Sequence, residues 1–162
     1  MRTTPSLCII LLSAILLNGK LSAKEHALIQ QKVIVQIELP AFEKKHQNPY
    51  FALWLSRANN ENKALVVVRQ KVKWLRDLKK FWRSIARENR AESDAVTGAT
   101  NKKKKFNYEF ILDEPWDSIS LEVAREHGKK EVISLPISIE KKCSTGKLEI
   151  ENICVQITNH QR

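Results

Sequence analysis

Phe106-Asn107-Tyr108-Glu109-Phe110-Ile111-Leu112 carries the pattern that decides the fold. Phe106, Tyr108, Phe110 and Leu112 recur at every second position, the period of a strand with one face in a core. Working outward, Val33 to Leu39 is β-branched and ends at Pro40, and Phe51 to Leu55 and Ala64 to Val68 flank the turn-like Asn59-Asn60-Glu61-Asn62. Ile119 to Val123, then Val132 to Leu135 with Ile137 and Ile139, then Leu148 to Ile157 complete seven predicted strands. The period changes once: Trp74, Leu75, Leu78, Phe81, Trp82 and Ile85 follow three- and four-residue spacing between basic residues. That spacing predicts an amphipathic helix of roughly four turns with its aromatic face on the sheet. Short strands, polar turns and a single helix imply a mainly β fold, an immunoglobulin-like β-sandwich.

The N-terminus predicts export. Arg2 precedes an apolar run of eleven residues, Leu7 to Leu17, and Leu21-Ser22-Ala23 supplies a small-residue cleavage site. The run is too short to span a bilayer, which takes about 20 residues; an uncleaved anchor is the alternative. Residues 1–23 are thus expected to be a signal peptide and 24–162 a single sandwich domain. Removing Arg2 and Lys20, with no acid lost, lowers the formal charge from +10 to +8. Export argues against nucleic acid as the partner of that charge and leaves an anionic membrane face or an acidic protein. Cys143 and Cys154 would sit where a disulfide persists. A tight turn at Ser144-Thr145-Gly146 would not set them opposite each other, so pairing requires a wider loop; free or intermolecular thiols are the alternative.

Between Ala91 and Lys105 neither period holds, and a long loop is expected there. It contains Asp94-Ala95-Val96-Thr97-Gly98-Ala99-Thr100, which fits Asp-x-x-Ser/Thr-Gly-Ala-Thr. Random sequence of this length yields that pattern roughly once in two thousand chains. Only four glycines occur in the chain, and Gly98 is the only one between Gly19 and Gly128. A glycine beside the small Ala99 makes a backbone that another molecule can approach closely. The plain reading is a helix-to-strand connection in which Asp94 and Thr97 satisfy local backbone groups.

The run resembles the flavin-attachment motif of exported flavoproteins, such as the covalent-FMN subunits of sodium-pumping quinone reductases. The resemblance implies Thr100 as the acceptor of a phosphoester from FMN, with Asp94, Thr97, Gly98 and Ala99 read by a flavin transferase. It departs from those subunits at Lys102, where they usually carry a hydroxyl residue. A broader resemblance covers nearly the whole mature chain. Pro49-Tyr50-Phe51-Ala52-Leu53-Trp54, then Lys73-Trp74-Leu75-Arg76-Asp77-Leu78 with Phe81-Trp82-Arg83, then Asp94 to Thr100, then Ala124-Arg125-Glu126-His127-Gly128 occur in that order. This is similar to the periplasmic family catalogued as domain of unknown function 2271. Its members sit beside flavin transferases and PepSY-type membrane proteins, which implies an extracytoplasmic redox system. Asp113 to Asp117 is a shorter, glycine-free version of a turn that is Gly-rich in many members.

Other candidates carry less. Lys102 to Lys105 could neutralise a phosphate, though a solvated loop explains them as well. Trp74 and Trp82 fall on the apolar helix face, which leaves Trp116 the freest tryptophan to meet a flavin ring. His127 could donate a proton or stand at a surface turn. The histidines are scattered and give no metal-ligand spacing, and no nucleophile or paired-carboxylate motif is present. The resemblance implies an electron carrier peripheral to the membrane, without independent catalytic activity; the alternative is a cofactor-free adaptor for a membrane protein or cell-envelope component.

Overall fold

The computed structural model describes residues 31–41, 48–95, 97–98, 103–126 and 128–159. In chain order its strands are β1 (Gln31–Glu38), β2 (Tyr50–Ser56), β3 (Asn62–Val68), β4 (Thr97–Gly98), β5 (Lys105–Leu112), β6 (Ser118–Ala124), β7 (Lys130–Pro136), β8 (Lys142–Thr145) and β9 (Asn152–Asn159). They form a four-stranded sheet in the order β5-β1-β9-β8 and a five-stranded sheet in the order β4-β3-β2-β6-β7. Every pairing is antiparallel except that of β3 with β4. Between the sheets lie the inward residues of each alternating run, among them Val33, Val35 and Ile37 against Phe51, Leu53 and Leu55. The β-sandwich read from the alternation is present.

β2 differs from its neighbours because both of its faces are covered. Phe51, Leu53 and Leu55 point into the sandwich, while Tyr50, Ala52 and Trp54 join a second cluster on the outer face. Trp74, Leu75, Leu78, Phe81, Ile85 and Ala86 close that cluster from above. Tyr50 stacks on Trp74 with ring centroids 5.3 Å apart, and Trp54 meets Phe81 at 5.7 Å.

The cover is not the four-turn helix that its spacing predicts. It consists of a 3-10 turn at Val72–Asp77, a short α1 (Lys79–Phe81) and a π turn at Trp82–Ala86. Leu78 leaves helical geometry at φ −75°, ψ 75°. The chain restarts where the buried carboxylate of Glu122 accepts the N–H groups of Lys80 and Phe81, at 3.1 and 2.8 Å. Burying each large apolar side chain is worth roughly 1.5–3 kcal/mol, against about 1 kcal/mol for one backbone hydrogen bond. Seating five of them on a twisted sheet therefore outweighs helical regularity.

Three further segments depart from the sequence reading. The expected loop from Ala91 contains α2 (Arg90–Ala95) and β4. β7 ends at Pro136 and leaves Ile139 exposed, while β9 begins at Asn152 rather than Leu148. The segment between β8 and β9 is the wider loop that a disulfide requires, and it sets Cys143 directly opposite Cys154, to which it is bonded. Ends of strands carry little periodicity of their own, which is why these boundaries escape a pattern reading.

That loop is held by acids. Glu131 on β7 accepts N–H groups from Lys147, Leu148, Glu149 and Ile150, at 2.6 to 3.0 Å. Burial acts to raise the Glu131 pKa, but the four donors outweigh it and hold the group below the ordinary 4.5. A depressed carboxylate stabilises the fold above the unfolded pKa and loses that contribution as pH falls through the folded value. Chemical denaturation from pH 7 to pH 3 is expected to show this loss below about pH 4.5. Glu131→Gln should flatten the acid limb and cost about 2 kcal/mol at pH 7.

Candidate functional site

Asn89 begins the segment that carries the motif. Its side chain accepts the Glu92 N–H at 3.1 Å, capping α2, and its amide donates to the Glu92 carboxylate at 2.8 Å. The other Glu92 oxygen accepts the N–H of Ala64 on β3 at 2.8 Å. One acid thus fastens α2 to the strand and satisfies an edge donor that pairing leaves open. Asn89 followed three residues on by Glu92 is a helix start signal visible in the sequence.

Past α2 the chain runs beside the end of β3. Thr97 and Gly98 pair in parallel with Val67 and Val68, and the Arg69 N–H donates to the Gly98 carbonyl at 3.2 Å. The Arg69 guanidinium holds Asp94 through Nη2 at 2.6 Å. The Arg69 side chain is only 8% exposed, whereas that of Asp94 is 51% exposed. Arg69 Nε is buried and has no hydrogen-bond partner among the described residues. No local pattern marks Arg69, because its partner lies 25 residues away.

Gly98 is exposed and its φ is not positive. A Cβ built there would meet nothing within 4 Å. Neither its backbone conformation nor packing against the described residues therefore requires glycine at this position. The other described glycines differ: a Cβ at Gly146 would strike the Ile150 carbonyl, and one at Gly128 would come within 2.7 Å of Arg125 Cβ.

Of the predicted site residues, the structure brings Asp94, Thr97 and Gly98 together at one sheet edge; Ala99 and Thr100 lie outside the described residues. Lys102 and His127 do too, while Lys105 lies in β5 and pairs with Glu38 at 2.7 Å. Trp116 is not free: it is 6% exposed, with the Arg57 guanidinium 4.2 Å from its ring centroid. An apparent turn residue thus packs under a cation from the β2–β3 hairpin. Among the described residues no group of three His, Cys, Asp or Glu side chains is placed to hold a metal ion, and no helix is long and apolar enough to cross a membrane.

Two of the motif blocks, Pro49 to Trp54 and Lys73 to Arg83, meet on the outer side of the five-stranded sheet. The Tyr50 hydroxyl donates to Asp77 at 2.9 Å, and burial, then this bond, raise its pKa so that the phenol stays protonated. Lys73 faces Glu126 at 3.8 Å. Arg125 meets Glu149 through two hydrogen bonds of 2.6 and 2.9 Å, with side chains 12% and 1% exposed. The block ending at Gly128 is therefore accounted for by an internal ion pair that the glycine makes room for.

These blocks belong to a family. The model described as "Predicted periplasmic protein (DUF2271)" matches residues 32–152, well over half of the chain. The chain belongs to that family and is a periplasmic protein. No curated protein and no solved structure matches it.

The glycines give a direct test of how the edge is built. Gly98→Ala is expected to change stability by less than about 0.5 kcal/mol. Gly146→Ala should cost about 1–3 kcal/mol, as overpacking does. Urea denaturation of the two variants beside wild type measures both.

Proposed function

We propose that this periplasmic protein is a flavoprotein that carries FMN as a phosphoester on Thr100, attached by a flavin transferase, and serves as an electron carrier. The observation that carries the reading is Gly98. Among the described residues nothing gives an internal reason for glycine there, and an approaching molecule does. Two more features fit the group. Asp94 is half exposed beside the run and is already anchored by Arg69, so it is displayed in a fixed place. Among the described residues Arg69 Nε is a buried donor without an acceptor, and a phosphoester oxygen is an acceptor of complementary charge.

The chain's own part in attachment is the Thr100 hydroxyl. Its oxygen would bond to the FMN phosphorus of FAD as the phosphoanhydride bond breaks, AMP leaves, and the hydroxyl proton passes to a base of the transferase. The flavin would supply reversible electron acceptance, while the protein places it and keeps it from diffusing away. Electrons would pass between a membrane oxidoreductase of the PepSY type and a second acceptor.

Co-expression with a flavin transferase and intact-mass measurement of periplasmic protein test this. The expected product is yellow and heavier by one FMN less one water. Thr100→Ala should lose the adduct completely and Thr97→Ala should keep it. An unmodified wild-type mass would remove the flavin and leave a cofactor-free adaptor.

A further inference from the structure

The disulfide lies away from the motif, at the β8 edge of the four-stranded sheet and on its outer face. Its two sulfurs have unequal surroundings. Cys143 is exposed, whereas Cys154 is 6% exposed. Cys154 lines a groove of about 290 Å³ together with Gln36, Glu38, Lys105, Asn107 and Asn152. The Asn152 amide donates to the Cys154 sulfur at 3.4 Å. Lys141 lines an adjoining hollow that Cys154 also borders, and its ammonium is fixed there by Gln36 at 2.8 Å.

A stabilising staple would be expected to close a loop that nothing else holds. This loop is already held by Glu131 through four backbone N–H groups and by the Arg125–Glu149 pair. We infer that the Cys143–Cys154 bond is a thiol–disulfide exchange site for a protein dithiol of the periplasm. The inference is independent of the flavin.

The unequal surroundings set the direction of exchange. A partner thiolate reaches the exposed Cys143 sulfur and forms a mixed disulfide. The Cys143–Cys154 bond breaks, and its electron pair leaves on Cys154. The Asn152 amide donor stabilises that thiolate, and a better leaving thiolate departs faster. The partner's second thiolate then attacks its own sulfur in the mixed disulfide and releases Cys143. The partner dithiol is oxidised to a disulfide, this protein gains two electrons, and the two thiol protons end on Cys143 and Cys154. The side-chain amides of Gln36, Asn107 and Asn152 offer donors and acceptors to an extended peptide lying in the groove.

The test uses the folded protein with reduced glutathione, and separately with dithiothreitol, quenched by alkylation and read by mass and peptide mapping. A parallel reaction in urea gives the rate of the unfolded chain. Native reduction is expected within about tenfold of the urea rate, with the glutathione adduct on Cys143 and alkylated Cys154. Asn152→Ala should slow native reduction several-fold and leave the urea rate unchanged. Reduction that proceeds only at the rate of global unfolding, or adducts placed on Cys154, would overturn the assignment.

Discussion

The double burial of β2 is the constraint on which the rest of the structure depends. A strand at the centre of an exposed sheet face can leave that face wet, but Tyr50 and Trp54 cannot be left so without a large apolar patch. The chain after β3 is therefore drawn across the outer face, where Trp74, Leu75, Leu78, Phe81 and Ile85 cover it. Having crossed, it must return to the other sheet to begin β5 at Lys105. The return passes along β3, so α2 and β4 fall on that edge. The motif's position follows from the need to cover β2.

Acids do the fastening, in a chain with a basic surplus. Glu122 restarts the cover, Glu92 ties α2 to β3, Glu131 gathers the β8–β9 loop, and Glu149 meets Arg125. Their charge goes to backbone N–H groups, the Asn89 amide and one arginine, where charge-assisted bonds are stronger than neutral ones. Lysines such as Lys71, Lys79 and Lys80 face solvent instead. The basic character of the surface follows from this sorting as much as from composition.

Much of the sandwich was legible because the alternation at Phe106 to Leu112 and the runs of β1, β2, β3 and β6 report burial residue by residue. The helical cover was legible as an apolar face but not as a broken helix, since the break depends on Glu122, distant in sequence. Pairing of Cys143 with Cys154 turned on loop width, which Glu131 sets from another strand. The motif could be found by its spacing alone. Arg69 could not, because its meaning comes from contact with Asp94 and Gly98. Trp116 misled for the same reason: a tryptophan in a turn looks exposed until Arg57 is placed over it.

Placement also bears on what kind of redox protein the two proposals describe. β4 is an edge strand of one sheet and β8 an edge strand of the other. A group mounted at an edge meets its partner at the surface, and selectivity comes from docking rather than from enclosing a substrate. An enzyme acting on a small molecule gains from the opposite arrangement, a closed site that excludes water. On the proposed readings, Thr100 and Cys143 would each serve a protein partner, one through a tethered ring and one through an exchangeable sulfur. The β4 and β8 edges belong to different sheets, so the two readings ask for different surfaces.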